Sequence, residues 1–124
     1  MKHEKKALLK IAYQRVLAVT LLDIKAPLHW IDTYVADNVT GRGTAADELI
    51  FSKKGYRSIV VNGRRQSRSL AFKTKLLTKY APKFSGSDTA VFYDEILIKL
   101  GKGKQEFTLH MSVSSVFVFN GKNW

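Results

Sequence analysis

Residues 89–100, TAVFYDEILIKL, and residues 105–119, QEFTLHMSVSSVFVF, decide the fold. Both are rich in β-branched and aromatic residues, and the step Gly101-Lys-Gly-Lys104 between them supplies turn chemistry, so the pair reads as a long hairpin. Side chains alternate along a strand, which places Phe107, Leu109, Met111, Val113, Phe117 and Phe119 on one face and Thr108, His110, Ser112 and Ser114 on the other. One face of the hairpin is built to be buried.

Upstream, from about Leu70 to Tyr80, the period is again two: Phe72, Thr74, Leu76 and Tyr80 oppose Lys73, Lys75 and Lys79, which predicts a half-buried strand. Residues 82–88, with Gly86, read as a loop. Before residue 70 the period changes to that of a helix. From Glu4 to about Leu21, Leu8, Ile11, Ala12, Val16 and Val19 form one stripe. Pro27 suits the first turn of a second, short helix carrying Leu28, Ile31, Tyr34 and Val35 and ending near Asp37 and Asn38. Val39-Thr-Gly-Arg-Gly-Thr44 is a turn or short strand. Ser52 then caps a third helix with Tyr56, Ile59, Val60 and Gly63 at i, i+3, i+4 and i+7. Asn62-Gly63 is also a hairpin signal, but the following RRQSRS lacks strand alternation, which favours the helix. Helices first and strands last give an α+β class, and 124 residues suit one domain over residues 1–124.

Composition narrows the function. The chain is 45% hydrophobic and 25% charged, which does not favour disorder. It has no cysteine, which removes disulfides, thiolate metal sites and a thiol nucleophile and makes the cytoplasm the expected location. No stretch approaches the roughly 18 to 20 uninterrupted apolar residues of a membrane span, and the basic N-terminus lacks a cleavage site, so no membrane association is expected. A net charge of +11 attracts polyanions, yet the Lys and Arg residues are scattered and no nucleic-acid motif organises them; nucleic acid is an alternative partner, not the favoured one.

Three segments resemble the nuclear-transport-factor-2-like superfamily, in its SnoaL-like branch. WIDTYVADNVTGRGTAADELIFSKKGYRSIV, residues 30–60, is similar to the branch's entry segment; SGSDTAVFYDEILI, residues 85–98, to its "gdtAvv" strand; and LHMSVSSVFVFNGKNW, residues 109–124, to its penultimate strand and "dGkW" turn. The resemblance spans about residues 5 to 124. It implies N-terminal helices packed on a strongly curved antiparallel sheet, a cone or half-barrel of the cystatin-like α+β roll type. Relatives continue into a final strand, whereas this chain stops at Trp124, so that strand is short or absent, or the chain is a piece of a longer protein.

The superfamily includes enzymes, ligand sensors and domains that only dimerise, so fold does not select function. The resemblance implies a ligand pocket lined by Trp30, Tyr34, Tyr56, Phe92, Asp94, Met111 and Phe117, all of which also suit a packed core. An enzyme of this kind needs a base and an oxyanion donor in an apolar pocket. Asp47, Glu48, Asp94 and His110 are the candidate bases, and Tyr13 and Tyr34 the candidate donors. Asp47 and Glu48 equally suit a turn, a helix start or an ion pair, and His110 falls on the outward side of its strand. His3 and His29 are isolated and the glycines of GRGT and GKGK lack a phosphate-cradle context, so no metal or cofactor is expected. The favoured expectation is a non-catalytic, small-molecule-binding, sensory or dimerising domain, taking a small apolar or acidic ligand and forming a homodimer through the strand side that bears Val116 and Val118. It suits the sensory part of a larger signalling protein.

Overall fold

Alternation along the hairpin produces the longest ladder in the protein. In the computed structural model, which describes residues 2–43, 48–69, 72–101 and 103–124, β5 (Thr89–Leu100) pairs antiparallel with β6 (Phe107–Val118) without interruption, from Thr89↔Val118 to Leu100↔Phe107. A single 3-10 turn, Gly103–Gln105, and Gly101 at φ 89° reverse the chain between them. A Cβ on Gly101 would fall 2.4 Å from the Gln105 carbonyl oxygen, so this position accepts only glycine.

The chain divides into two compact units. The first combines Met1–Ile11 with Leu70–Trp124. Its sheet adds β3 (Phe72–Leu76) and β4 (Lys83–Phe84), both antiparallel to β5. The Leu77 N–H donates to the Glu95 carbonyl and the Ser85 N–H to that of Thr89, whereas the Phe119 N–H donates to Asp88. Odd-numbered residues of β5 therefore turn their backbone groups toward β3 and β4, and even-numbered ones toward β6. Ala90, Phe92, Asp94, Ile96 and Ile98 make the buried face of β5, and Phe117 joins them from β6.

β3 shows the expected alternation, with Lys73 and Lys75 outward. It ends at Leu76, however, and not at Tyr80. Thr78 leaves the ladder geometry and uses its hydroxyl to bond Asp94 and accept from the Glu95 N–H, which a continuing strand would not do. The expected start, Leu70, lies outside the described residues. Lys83 and Phe84, expected in a loop, pair with Val91 and Ala90, and Gly86 at φ 72° follows in the turn into β5.

The second unit is Ala12–Ser69. Helix α1 (His3–Thr20) contributes its later turns here and its first turns to the other unit. Its buried residues are Leu9, Ala12, Tyr13 and Val19, while Leu8 and Ile11 of the expected stripe are exposed. Apolar residues cover so wide an arc of α1 that more than one stripe fits the sequence. Helix α2 (His29–Tyr34) follows Pro27, and Ile31 is buried. β1 (Gly41–Arg42) and β2 (Leu49–Ile50) form a two-residue ladder across the expected turn. Ser52 Oγ accepts from the Gly55 N–H at 3.0 Å and starts α3 (Lys53–Ser69), which runs through the RRQSRS segment as a helix.

Val19, Ala26, Ile31 and Val60 form the core of this unit, with Leu22, Trp30 and Tyr56 packed on it. α1 stops in a Schellman arrangement: Asp23 N–H donates to Ala18 and Leu22 N–H to Val19. Leu22 holds φ 61°, a conformation that costs a leucine about 1–2 kcal/mol relative to glycine. Its side chain explains why a leucine stands there. It packs against Gly63 of α3, where an added Cβ would come within 3.0 Å of both Leu22 methyl carbons.

Candidate functional site

The residues nominated by the sequence fall into two groups, one in each unit. In the second unit Arg15 of α1 lies beside the aromatics of α2: its guanidinium is 5.3 Å from the Trp30 ring and 5.7 Å from that of Tyr34, and Nη1 donates to the Tyr34 hydroxyl at 2.6 Å. Tyr34 is thus held as an acceptor of a charged donor. Arg15 is not among the residues nominated from the sequence; the signal for its role was its place one turn before Val19, on the helix side that meets α2.

Tyr56 of α3 lies 2.6 Å from Thr20 Oγ1. The Thr20 hydroxyl donates to the Val16 carbonyl at 2.8 Å, so the Tyr56 hydroxyl is the donor between the two. Burial pushes the Tyr56 pKa above its ordinary 10.0, and Thr20, whose hydroxyl can turn from the Val16 carbonyl to donate to the phenolate, pulls it partly back. Tyr56 is expected to ionise later than exposed tyrosines in an alkaline absorbance titration read against Tyr56→Phe, and Thr20→Val should delay it further. The folded protein keeps this phenol neutral to higher pH than the unfolded chain does. The stability it contributes is therefore whole below pH 10.0 and is lost as the pH rises through the raised value. A Tyr56 that titrates with the exposed tyrosines refutes this assignment.

In the first unit Phe92, Phe117 and Asp94 share the buried face of the sheet. Phe92 meets Phe117 edge to face at 5.5 Å and Tyr80 at 5.5 Å in a tilted pair. Met111 and Val113, half-buried, stand opposite Ile96 and Asp94 in the ladder. Asp94 is 4% exposed, and its Oδ1 accepts from the Thr78 hydroxyl at 2.7 Å. The sequence marked Asp94 as the polar residue on an apolar stripe, but Thr78, sixteen positions earlier, becomes its partner only because β3 ends early.

The other nominated polar residues sit elsewhere. His110 is exposed, and its Nε2 lies 2.9 Å from the Glu95 carboxylate, which also accepts from Ser112 at 2.9 Å. The Glu48 carbonyl accepts from the Gly43 N–H at 2.7 Å, next to the β1–β2 ladder. Tyr13 is buried in α1. Asp47 lies outside the described residues. A further cleft of about 430 Å³ in the second unit is lined by Asp32, Asp37, Ser52, Lys53, Lys54 and Arg57. Lys53 and Asp37 pair across it at 3.1 Å and Arg57 and Asp32 at 3.3 Å, so its charges largely satisfy one another. Among the described residues, no helix is long and apolar enough to cross a membrane.

No family model matches the sequence, and no curated protein matches it. Solved structures do. A protein from Catenulispora Acidiphila superposes with a TM-score of 0.64 over 96% of this chain and 86% of its own, at 14% identity. An LEH-like epoxide hydrolase of M. tuberculosis gives a TM-score of 0.49 at 15% identity, covering 89% of this chain and 74% of its own. With helices followed by an antiparallel sheet, and a solved structure matching nearly the whole chain, the protein has the nuclear-transport-factor-2-like fold that its three segments resemble.

Proposed function

We propose that this chain is a non-catalytic SnoaL-like domain that receives a small, mainly apolar ligand against the buried face of its sheet and pairs with a second copy of itself. The observation that carries the reading is the setting of Asp94. It stands among Ala90, Phe92, Ile96 and Ile98 with one carboxylate oxygen held by Thr78, whose hydroxyl also accepts from the Glu95 N–H at 3.2 Å. A general base needs a donor aimed at the same substrate position. The hydroxyl beside Asp94 is instead spent in tying β5 to the segment after β3, a structural use. Tyr34 is likewise engaged by Arg15, and His110 by Glu95. Met111 and Val113, next to Asp94 in the ladder, offer an apolar contact surface with one polar point, the composition typical of small-molecule sites.

Calorimetric titration with decanoate, which joins an apolar chain to an acidic head, tests the reading. Saturable binding is expected, weakened at least about tenfold by Met111→Lys, roughly 1.4 kcal/mol. Absence of binding removes the ligand reading. Isomerisation of a β,γ-unsaturated ketone that Asp94→Asn abolishes would replace it with the enzymatic one, and nucleic-acid affinity falling linearly in log salt would replace it with the polyanion-binding one.

A further inference from the structure

The partly buried arginines of the second unit differ in what holds their charge. Arg57 pairs with Asp32 at 3.3 Å, and Arg64 donates from Nη2 to the Asp23 and Ala26 carbonyls at 2.9 and 2.5 Å. Arg15 has neither kind of partner. Among the described residues its guanidinium donates to one oxygen alone, the uncharged Tyr34 hydroxyl at 2.6 Å, and forms no ion pair. A guanidinium presents five N–H donors in a fixed plane. The bond to Tyr34 uses Nη1, so the edge formed by Nε and Nη2 has no acceptor among the described residues. Arg42 and Arg65 are exposed and have water for this, whereas Arg15 is only partly exposed.

The charge is also fixed in place. The guanidinium carbon lies 5.3 Å from the Trp30 ring centre and 5.7 Å from that of Tyr34, and Trp30 is itself packed on the core of Val19, Ala26, Ile31 and Val60. Two rings and a hydroxyl thus hold a planar fork in one orientation, on helices and not on a loop. Ring faces offset a cation only in part, and a charge drawn out of water is costly until an anion meets it. The fork is set to take one.

We infer that the Nε–Nη2 edge of Arg15 binds a small monocarboxylate with a flat apolar body, beside Trp30 and Tyr34. Chemistry selects this class. Two parallel N–H groups of one guanidinium match the two oxygens of a carboxylate. The cluster of Arg15, Trp30 and Tyr34 holds one positive charge, which a carboxylate balances and a doubly charged phosphate exceeds. The partly exposed rings of Trp30 and Tyr34 offer the apolar body an aromatic surface. Tyr34 acts here as a positioning residue, since its oxygen is what fixes Nη1. The site stands on residues of the second unit alone and asks nothing of the buried face of the sheet, so it is separate from the ligand proposed above.

The test titrates the full chain with sodium benzoate, and with benzamide as its uncharged counterpart, following the NMR signals of the Arg15 Nε–H and the Trp30 indole N–H. Trp30→Phe tells that indole from the one of Trp124. Arg15→Met keeps a long side chain and removes the charge; Arg15→Lys keeps the charge and removes the fork. Benzoate should shift both signals saturably, benzamide should bind at least about tenfold more weakly, and both Arg15 variants should lose at least about tenfold in affinity for benzoate. Benzoate should also raise the melting temperature of the wild type and leave that of Arg15→Met unchanged, because a ligand stabilises only a folded state that binds it. If circular dichroism shows that Arg15→Met does not fold, Arg15→Lys carries the comparison. Met111→Lys, which weakens the ligand at the sheet, should bind benzoate as the wild type does. Loss of benzoate binding in Met111→Lys would place the probe against the sheet and overturn the Arg15 site. Equal binding of benzamide, benzoate affinity unchanged in both Arg15 variants, or tighter binding of inorganic phosphate at the same signals overturns it too. A chain that takes up decanoate but shows no benzoate response at Arg15 keeps the sheet ligand and reduces Arg15 to a tie between α1 and α2.

Discussion

Replacing Phe92 by alanine is expected to cost about 3–5 kcal/mol of stability, the range for truncating a buried aromatic residue and leaving a cavity. Phe92 is fully buried on the central strand β5, and its ring is fixed by Phe117 from β6 and by Tyr80 from the segment after β3. Its loss strips packing from all three segments at once. Domains are typically stable by about 5–15 kcal/mol, so a large part of the total would go. Urea unfolding should show the midpoint falling with an unchanged slope, as when stability changes but compactness does not. The neighbouring Tyr93→Ala, at an exposed position on the opposite face, should stay within about 1 kcal/mol of wild type. Equal effects at the two positions would mean that the strand does not bury the face assigned to it.

That contrast between adjacent residues is also the part of the fold most legible in the sequence. Period-two alternation admits only two assignments of faces, and the apolar side read for residues 107–119 is buried at Phe117 and half-buried at Met111, Val113 and Phe119, whereas Phe107 and Leu109, at the start of β6, stay exposed against that expectation. Helix α1 was harder to read, because apolar residues at both Leu8 and Leu9, and at Ile11 and Ala12, fit either of two neighbouring stripes; tertiary packing chose Leu9, Ala12 and Tyr13. β3 was overextended because Thr78 and Tyr80 keep the right period, while the force ending the strand, the Thr78 bond to Asp94, is a long-range contact with no local signature. The same reason hid most of the polar architecture. Asp94, Tyr34 and Tyr56 could be singled out by residue type, but Thr78, Arg15 and Thr20, which hold them, are partners set by the register of strands and the crossing of helices.

Trp124→Ala is expected to produce the other large loss, about 3–5 kcal/mol, although the residue stands in a turn and not in a helix or strand. Leaving the sheet after Val118, the chain reverses at Asn120, whose side-chain oxygen accepts from the Lys122 and Asn123 N–H groups at 3.0 and 2.8 Å, with Gly121 at φ 98°. That turn swings Trp124 back into a buried position 5.4 Å from the Phe119 ring, and the indole N–H donates to the Lys5 carbonyl of α1 at 2.9 Å. Lys5 itself lies 4.4 Å over Phe119 and pairs with Asp88, so one lysine, two aromatic rings and one carboxylate tie the first turns of α1 to the end of the sheet. The hydrogen bond and the ring contribute separately, and two variants part them. Trp124→Phe keeps an aromatic contact but leaves the Lys5 carbonyl without the indole, a loss of about 1 kcal/mol, whereas Trp124→Ala removes both. If the indole latches α1, amide exchange in the turn after Lys5 should quicken in both variants, and most in Trp124→Ala. Unchanged protection there, with stability lost only in the strands, would assign Trp124 to the sheet alone.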